Sequence, residues 1–430
     1  MKKKVIKHLL TILAIAFVFT LGSLSGLVYL SKANSQPANA YESFILESFN
    51  LIKENYWKKL SEKELSQIFQ NALETTTFSP NAKRVENKKQ FLSLFKKELK
   101  KLPKEKKKEL SVKLVQNAVA SLDPKGKSQL LSKKQKEELV ATVKNVDKEK
   151  KLLKELGVDE RTSPEEVEKK AAEKIKELEK EAKFDKKARE KLKEVKLAQK
   201  TLTDKQKREL YLKQNIVPTI IFEPLTSDIH YLKISRFSPQ TWQEFYSTFS
   251  NPQETSATTL IIDLRGNIGG AIDILPYFLG PFIGPGNIAY EFFHQGDYTP
   301  FRTKTGWLPG LYPYKKVVVL IDSKMQSSAE VVASTFKKYN VGVLVGERTR
   351  GWGTVETILP LKTKLEGESY TLLLVSNLTL REDNQPIEGR GVEPHIKISD
   401  PNWKNELLKY FNYPTLVNVV DKLWKGEIGY

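Results

Sequence analysis

The sequence predicts an α/β protein in which a layered core of strands and helices, residues 216–430, follows two helical blocks and an N-terminal membrane helix. Three observations support this fold class. An uncharged stretch follows the first lysines. Apolar residues then recur at helical spacing up to about residue 215. Beyond that point, short β-branched runs alternate with helical segments, which is typical of a buried sheet covered by helices.

The first 40 residues predict a signal anchor. Leu9–Leu30 carries no charge and is long enough to cross a bilayer as one helix, and the lysines that precede it should stay cytoplasmic. We therefore expect a single-pass cell-membrane protein whose soluble domains are extracytoplasmic, with the lipid bilayer as the partner of residues 9–30. Ala38-Asn39-Ala40 resembles a cleavage site, so removal of the segment after Ala40 is the alternative.

Charge and composition narrow the class of function. The chain has 71 basic and 52 acidic residues, a net charge of +19, and much of the lysine excess lies between Lys96 and Lys213 with acids interleaved and few aromatics. Surfaces that bind single-stranded nucleic acid place aromatic rings among the basic groups, so we expect no nucleic-acid partner and interpret this region as a solvated surface near anionic lipid.

The absence of cysteine and the presence of only four histidines argue against disulfides, thiol catalysis and a metal site. We therefore expect neither a metal nor an organic cofactor.

Two helical blocks precede the core. Residues 41–147 show apolar residues three and four positions apart at Phe44–Ile52 and again at Phe91–Leu99, which predicts a helical domain. Residues 148–215 contain a helix start at Ser163-Pro164 and the run Leu152–Val158. The second block resembles a J-domain but lacks the His-Pro-Asp tripeptide with which that family stimulates Hsp70-type ATPases. We interpret it as a lysine-rich structural insert that serves as a passive cover or spacer over the cleft of the core.

The core contains two junctions at which an apolar run is followed by small residues. In the first, Leu260–Asp263 leads into a turn with Gly266, Gly269 and Gly270. Glycines free backbone N–H groups to point at a ligand, so this turn can form half of an oxyanion hole or an anion nest. A tight connection between a strand and a helix is the alternative.

The second junction carries serines. The strand Val319–Ile321 is followed by Ser323, Ser327 and Ser328 at the predicted start of a helix. A hydroxyl group at this place lies near the positive end of the helix dipole, which suits a nucleophile that attacks a carbonyl carbon. A serine that only caps the helix is the alternative.

The two junctions, together with Val345–Glu356 and Ile387–Pro394, resemble the C-terminal processing (tail-specific) peptidases, the serine peptidases of family S41. The resemblance implies an S41-type protease core over residues 216–430. It also implies that the helical insert before this core takes the place of the family's PDZ domain. It implies that Ser327 is the nucleophile and that the oxyanion is bound by the N–H of Ser328 and that of Gly269 or Gly270. The implied substrate is a polypeptide, which is cleaved through an acyl-enzyme.

The chain departs from the family at the base. The family's lysine lies in Phe-Gly-Lys-Gly-x-Val-Gln, and the matching segment here has Trp352 in the place of the lysine and Glu356 in the place of the glutamine. An indole N–H donates a hydrogen bond and accepts no proton, so a Ser–Lys dyad at these positions is excluded. We therefore predict a base other than lysine, with Glu356 in the catalytic group.

Other bases stay open at this point. His230, His294 and His395 are the imidazoles of the core, and Glu356 or Glu388 could orient one of them, although a core or surface histidine is the default for all three. The competing function is a catalytically inactive S41-like scaffold that keeps the cleft and binds peptides by strand addition.

Overall fold

The computed structural model describes residues 39–80, 83–182 and 184–430, and Ala40–Tyr430 fold as one unit. The predicted membrane helix at Leu9–Leu30 lies outside the described residues. Within the described ranges, no helix is both long enough and apolar enough to span a bilayer.

The described elements comprise helices and strands in a mixed order, which confirms the predicted α/β class. The helices are α1 (Ala40–Asn55), α2 (Glu62–Thr77), α3 (Lys88–Lys101), α4 (Lys104–Ala120), α5 (Lys133–Val143), α6 (Lys151–Leu156), α7 (Pro164–Glu181), α8 (Lys186–Thr203), α9 (Lys205–Gln214), α10 (Pro239–Phe249), α11 (Leu275–Phe278), α12 (Gly280–Ile283), α13 (Ser328–Lys338), α14 (Trp403–Phe411) and α15 (Pro414–Lys425). The strands are β1 (Gln129–Ser132), β2 (Ile220–Pro224), β3 (Ile229–Ile234), β4 (Thr259–Asp263), β5 (Ile288–His294), β6 (Asp297–Arg302), β7 (Lys316–Ile321), β8 (Val343–Gly346), β9 (Thr354–Pro360), β10 (Tyr370–Thr379) and β11 (Ile396–Lys397).

The first sheet carries the two predicted junctions. Its six strands lie in the order β11-β8-β7-β4-β3-β2, and all neighbours are parallel except β2 and β3. Successive residues of a strand point to opposite faces. Leu260 and Ile262 accordingly pack in the core beneath α10 to α13, whereas Ile261 packs against α14 and α15. Both faces are covered, which explains the continuous apolar runs of β4 and β7.

The second sheet was not predicted. It is antiparallel, and β10 lies at its centre, pairing with β9 along one edge and with β1 and β5 along the other. β6 completes it beside β5. β1 lies inside the region predicted to be helical, because its four residues find their partners Tyr370–Leu373 far along the chain, where no local pattern can indicate them.

The N-terminal helices pack on this second sheet. The predicted helices at Phe44–Ile52 and Phe91–Leu99 are confirmed as parts of α1 and α3. Their aromatic side chains are buried together with Leu372 and Leu374 of β10, so the sheet completes the hydrophobic core of α1 to α4.

The helical insert has its own hydrophobic core. α6 to α9 bury Leu156, Val167 and Leu202 against each other, and α7 begins at Ser163 and Pro164 as predicted. The ends of the insert lie side by side, since Val146 and Ile216 form an isolated antiparallel bridge. The boundaries after residues 147 and 215 stay predictions.

Candidate active site

Ser327 lies in the turn between β7 and α13, directly before the first residue of the helix. Its φ of 60° and ψ of −133° place a non-glycine residue in a backbone region that costs energy, so surrounding contacts must hold it there. Its N–H donates to the Trp352 carbonyl oxygen at 3.1 Å and to Oε2 of Glu330 at 2.9 Å. These contacts orient the hydroxyl-bearing residue at the positive end of the α13 dipole.

Gly269 packs directly against the serine turn. A Cβ atom at Gly269 would lie 2.7 Å from Cβ of Ser327 and 2.9 Å from the backbone nitrogen of Ser328, and φ is +80°. Only glycine therefore fits at this position. The N–H of Gly269 donates to Oδ1 of Asn267 at 2.8 Å, so it is already engaged.

The N–H groups of Gly270 and Ser328 are free of hydrogen-bond partners among the described residues. Ser328 begins α13, where the first N–H groups of a helix have no intrahelical acceptor. Its own Oγ is buried and also lacks a partner within the described chain. Two unengaged amides thus lie beside Ser327.

A cavity of about 100 Å³ brings the predicted residues together. Four of the five predicted site residues line it, and Gly269 lies behind Ser327. The lining residues are Gly270, Ile272, Ser327, Ser328, Thr354, Val355, Glu356 and Thr379.

Glu356 is the acidic group of this cavity. Its Oε1 accepts hydrogen bonds from Oγ1 of Thr354 at 2.6 Å and from Nε1 of Trp352 at 3.2 Å. Burial raises the pKa of Glu356, while these two donors and the charge of Lys127 act in the opposite direction. A raised pKa brings a carboxyl group closer to the range in which it can exchange protons near neutral pH.

Glu330 is a site residue that sequence reasoning missed. It is fully buried at the third position of α13, and its carboxylate accepts from the N–H groups of Ser327, Gly351 and Trp352 at 2.7–2.9 Å and from Oγ1 of Thr349. Burial raises the pKa of Glu330, although these four donors favour the anion. The spacing Ser327-x-x-Glu330 matches a helix capping box and could have indicated the residue.

Nδ1 of each of the three core histidines has a hydrogen-bond partner that does not line the cavity. Nδ1 of His230 is 2.7 Å from the Tyr314 hydroxyl, and Nδ1 of His294 is 2.7 Å from the Ser376 carbonyl oxygen. Nδ1 of His395 accepts the N–H of Leu344 at 2.9 Å. Burial lowers the pKa of His230 and of His395. None of them lines the cavity of Ser327.

A second, larger cavity lies elsewhere in the described residues. This cavity of about 520 Å³, lined by Glu291, Tyr298, Lys338, Leu380 and Asn384, contains none of the predicted site residues. Across residues 39–80, 83–182 and 184–430, no group of three or more histidine or carboxylate side chains is arranged to hold a metal ion.

Helices α6 to α9 of the insert contact other parts of the core. Their contacts with the core run from Lys200 to Glu223 and from Arg189 to the Lys425 carbonyl oxygen, and none of their residues lines the cavity. The described contacts therefore do not support the expectation that the insert covers the cleft, because the insert has its own core and contacts the edge strand β2 and the C-terminal helix.

Comparison with known proteins confirms the resemblance inferred from the motifs. Residues 228–398 match the model of peptidase family S41. The carboxy-terminal-processing protease of Bartonella bacilliformis is 28% identical over 179 residues, which are 40% of this chain and 39% of that protein. The carboxy-terminal processing protease CtpA of Bacillus subtilis is 27% identical over 232 residues, 52% of this chain and 48% of that protein. The chain thus matches less than half the length of these relatives.

Among solved structures, the photosystem II D1 C-terminal processing protease aligns with a TM-score of 0.48 at 13% identity, covering 84% of this chain and 94% of that one.

Proposed function

We propose that this chain is a serine peptidase of the tail-specific type, which hydrolyses polypeptides through an acyl-enzyme on Ser327 with Glu356 as the proton acceptor. The observation that carries the proposal is the shared cavity. A serine in a strained turn at a helix N-terminus, two unengaged amides and a carboxylate with a raised pKa line one space of about 100 Å³.

The reaction needs only groups of the chain and water. Oγ of Ser327 attacks the peptide carbonyl carbon and its proton passes to Glu356, directly or through one water molecule. The N–H groups of Ser328 and Gly270 stabilise the oxyanion; we assign the second amide to Gly270 because that of Gly269 donates to Asn267. The C–N bond then breaks, and the amine leaves with the proton from Glu356. Water attacks the resulting ester and gives a proton to Glu356, and Oγ of Ser327 leaves with that proton.

Substrate and location are parts of the same proposal. A polypeptide substrate is supported by the S41 match and by relatives whose names describe carboxy-terminal processing. The proposed location is the cell membrane, with residues 9–30 as anchor and the soluble part extracytoplasmic. It is supported by the uncharged stretch and the lysines before it.

Labelling with a fluorophosphonate tests the proposal, because the reagent forms an ester with an activated serine and loses fluoride. We expect the full-length protein to be labelled, Ser327→Ala to lose labelling and peptidase activity by several orders of magnitude, and Ser323→Ala to keep both. Ser323 is a matched control, since it lies in the same turn but is exposed and donates to Glu347 at 2.8 Å. Absence of labelling in the wild type would favour the inactive scaffold instead.

A further inference from the structure

Lys127 reaches the active site from the N-terminal part of the chain. It lies between α4 and β1, its side chain is only 13% exposed, and its ammonium group contacts both carboxylate oxygens of Glu388 at 2.7 and 2.6 Å. The next residue, Ser128, is buried and accepts the N–H of Val375 in β10 at 3.1 Å. The position of Lys127 is thus set by the second sheet.

The same ammonium group lies on the indole ring beside the proposed base. Nζ of Lys127 is 4.1 Å from the centre of the Trp352 ring, a distance typical of a cation–π contact. Nε1 of that ring donates to Glu356. Glu388, the other partner of Lys127, accepts the N–H of Gly353 at 2.9 Å, so both partners of the lysine are tied to the start of β9.

We propose that Lys127 is a positioning residue, which fixes the Trp352 ring and stabilises the anionic form of Glu356, so that this carboxylate can accept the proton of Ser327. This inference rests on the proposed function. It assigns to the segment before β1 a role in the chemistry that no motif of the core indicates.

Four charged groups contact Trp352 or its loop, beside Glu356. Lys127 and Glu388 form the ion pair, Arg350 lies 5.2 Å from the indole ring, and Glu330 binds the backbone of the same loop. The charge of Lys127 lowers the pKa of Glu356 and thereby opposes the effect of burial. We assign Lys127 no role as the base, because its Nζ is held by both carboxylate oxygens of Glu388 and the residue does not line the cavity of Ser327.

The test compares two variants with opposite expected effects on the pH dependence of fluorophosphonate labelling at Ser327 in the full-length protein. Labelling requires anionic Glu356, so it rises with pH. Lys127→Met removes the stabilising cation, and we expect the labelling rate at acidic pH to fall about three- to tenfold relative to that at alkaline pH. Glu388→Gln removes a neighbouring anion and should raise the same ratio. Lys125→Met, an exposed lysine of the same loop, should leave it unchanged.

These opposite directions separate an electrostatic role from a structural one. If the ion pair only held the loop in place, both variants would lower labelling at all pH values without shifting its pH dependence, and the inference would be overturned. A shift in the same direction for both variants would overturn it as well.

A second readout keeps this inference distinct from the peptidase proposal. The fluorescence of Trp352, taken as the difference between the wild type and Trp352→Phe, should follow the ionisation of Glu356 whether or not the protein is active. The midpoint should move to higher pH in Lys127→Met and to lower pH in Glu388→Gln. If the wild type is not labelled but these midpoints move as expected, the peptidase proposal fails while the role of Lys127 in stabilising the anion stands. Unmoved midpoints would refute that role.

Discussion

The carboxylate of Glu330 should be the structural centre of the active site, and its replacement by glutamine isolates this role. Oε1 accepts from Thr349 and Gly351, and Oε2 accepts from Ser327 and Trp352. A glutamine of the same shape keeps one oxygen and presents an NH2 group to the other pair of donors. Whichever way the amide turns, two buried donors lose their acceptor.

The expected cost follows from these contacts. Hydrogen bonds to a charged group contribute roughly 1.5–3 kcal/mol each, and burial of the charge opposes them, so we take the lower end for two lost bonds. The free energy of unfolding should fall by about 3 kcal/mol at neutral pH. Each pair of donors includes one residue of the loop Gly351–Trp352, and the Trp352 carbonyl oxygen accepts the N–H of Ser327. Loss of either pair should therefore displace the nucleophile and lower fluorophosphonate labelling by about 100-fold.

The pH dependence provides a further check. Burial raises the pKa of Glu330 above its value in the unfolded chain, so the native state binds this proton more tightly. The contribution of this group to stability is therefore greatest at acidic pH and decreases as pH rises from the unfolded pKa to the folded pKa. The glutamine variant should lack this part of the slope.

Urea unfolding followed by circular dichroism, together with labelling rates, measures both effects in the full-length protein. Glu347→Gln is the control, because Glu347 is exposed and its carboxylate accepts a hydrogen bond only from Ser323 within the described residues. It should change the free energy of unfolding by less than about 0.5 kcal/mol. If Glu330→Gln retains wild-type stability and labelling, the four-donor contact does not hold the site together and the reasoning is refuted.

Three other predictions concern the glycine turn, the insert and the N-terminus. Gly269→Ala should abolish labelling, because the new Cβ would collide with the turn that carries Ser327. Gly286→Ala should retain labelling, because Gly286 has a similar φ but open space around it. Equal labelling rates for the two variants would contradict the packing argument. Deleting Lys148–Gln214 with a short linker should leave the sheets folded by circular dichroism and labelling unchanged, and a loss of labelling would give the insert a part in the site. If Leu9–Leu30 is a retained anchor, the protein should fractionate with membranes, and a mature N-terminus at Tyr41 found by mass spectrometry would disprove this.

Local patterns were sufficient for part of the fold and of the site. The continuous apolar runs of β4 and β7 predicted two buried strands, because a strand covered on both faces needs an apolar side chain at every position. The small residues after each run predicted turns, and the start of α13 predicted where a reactive hydroxyl could lie. Ser327 and Glu356, selected from motifs 29 positions apart (356 − 327), do line one cavity.

The choice among alternatives required the tertiary structure. The sequence left Gly269 and Gly270 equivalent as oxyanion donors, and only the side chain of Asn267 distinguishes them by engaging one N–H. It also left the histidines as possible bases. Nδ1 of each histidine has a partner that is distant in sequence and does not line the cavity, as Tyr314 is for His230 across 84 positions.

The sequence by itself determined the strand, turn and helix that present Ser327, because their signals lie within a few residues of each other. Only the tertiary structure decided that β1 joins β10 and brings Lys127 to Glu388 across 261 positions. A lysine in a lysine-rich segment carries no local sign of its partner. Its burial against Trp352 depends on sheet pairing and on the net balance of desolvation and charge, which are set by the complete fold and not by neighbouring residues.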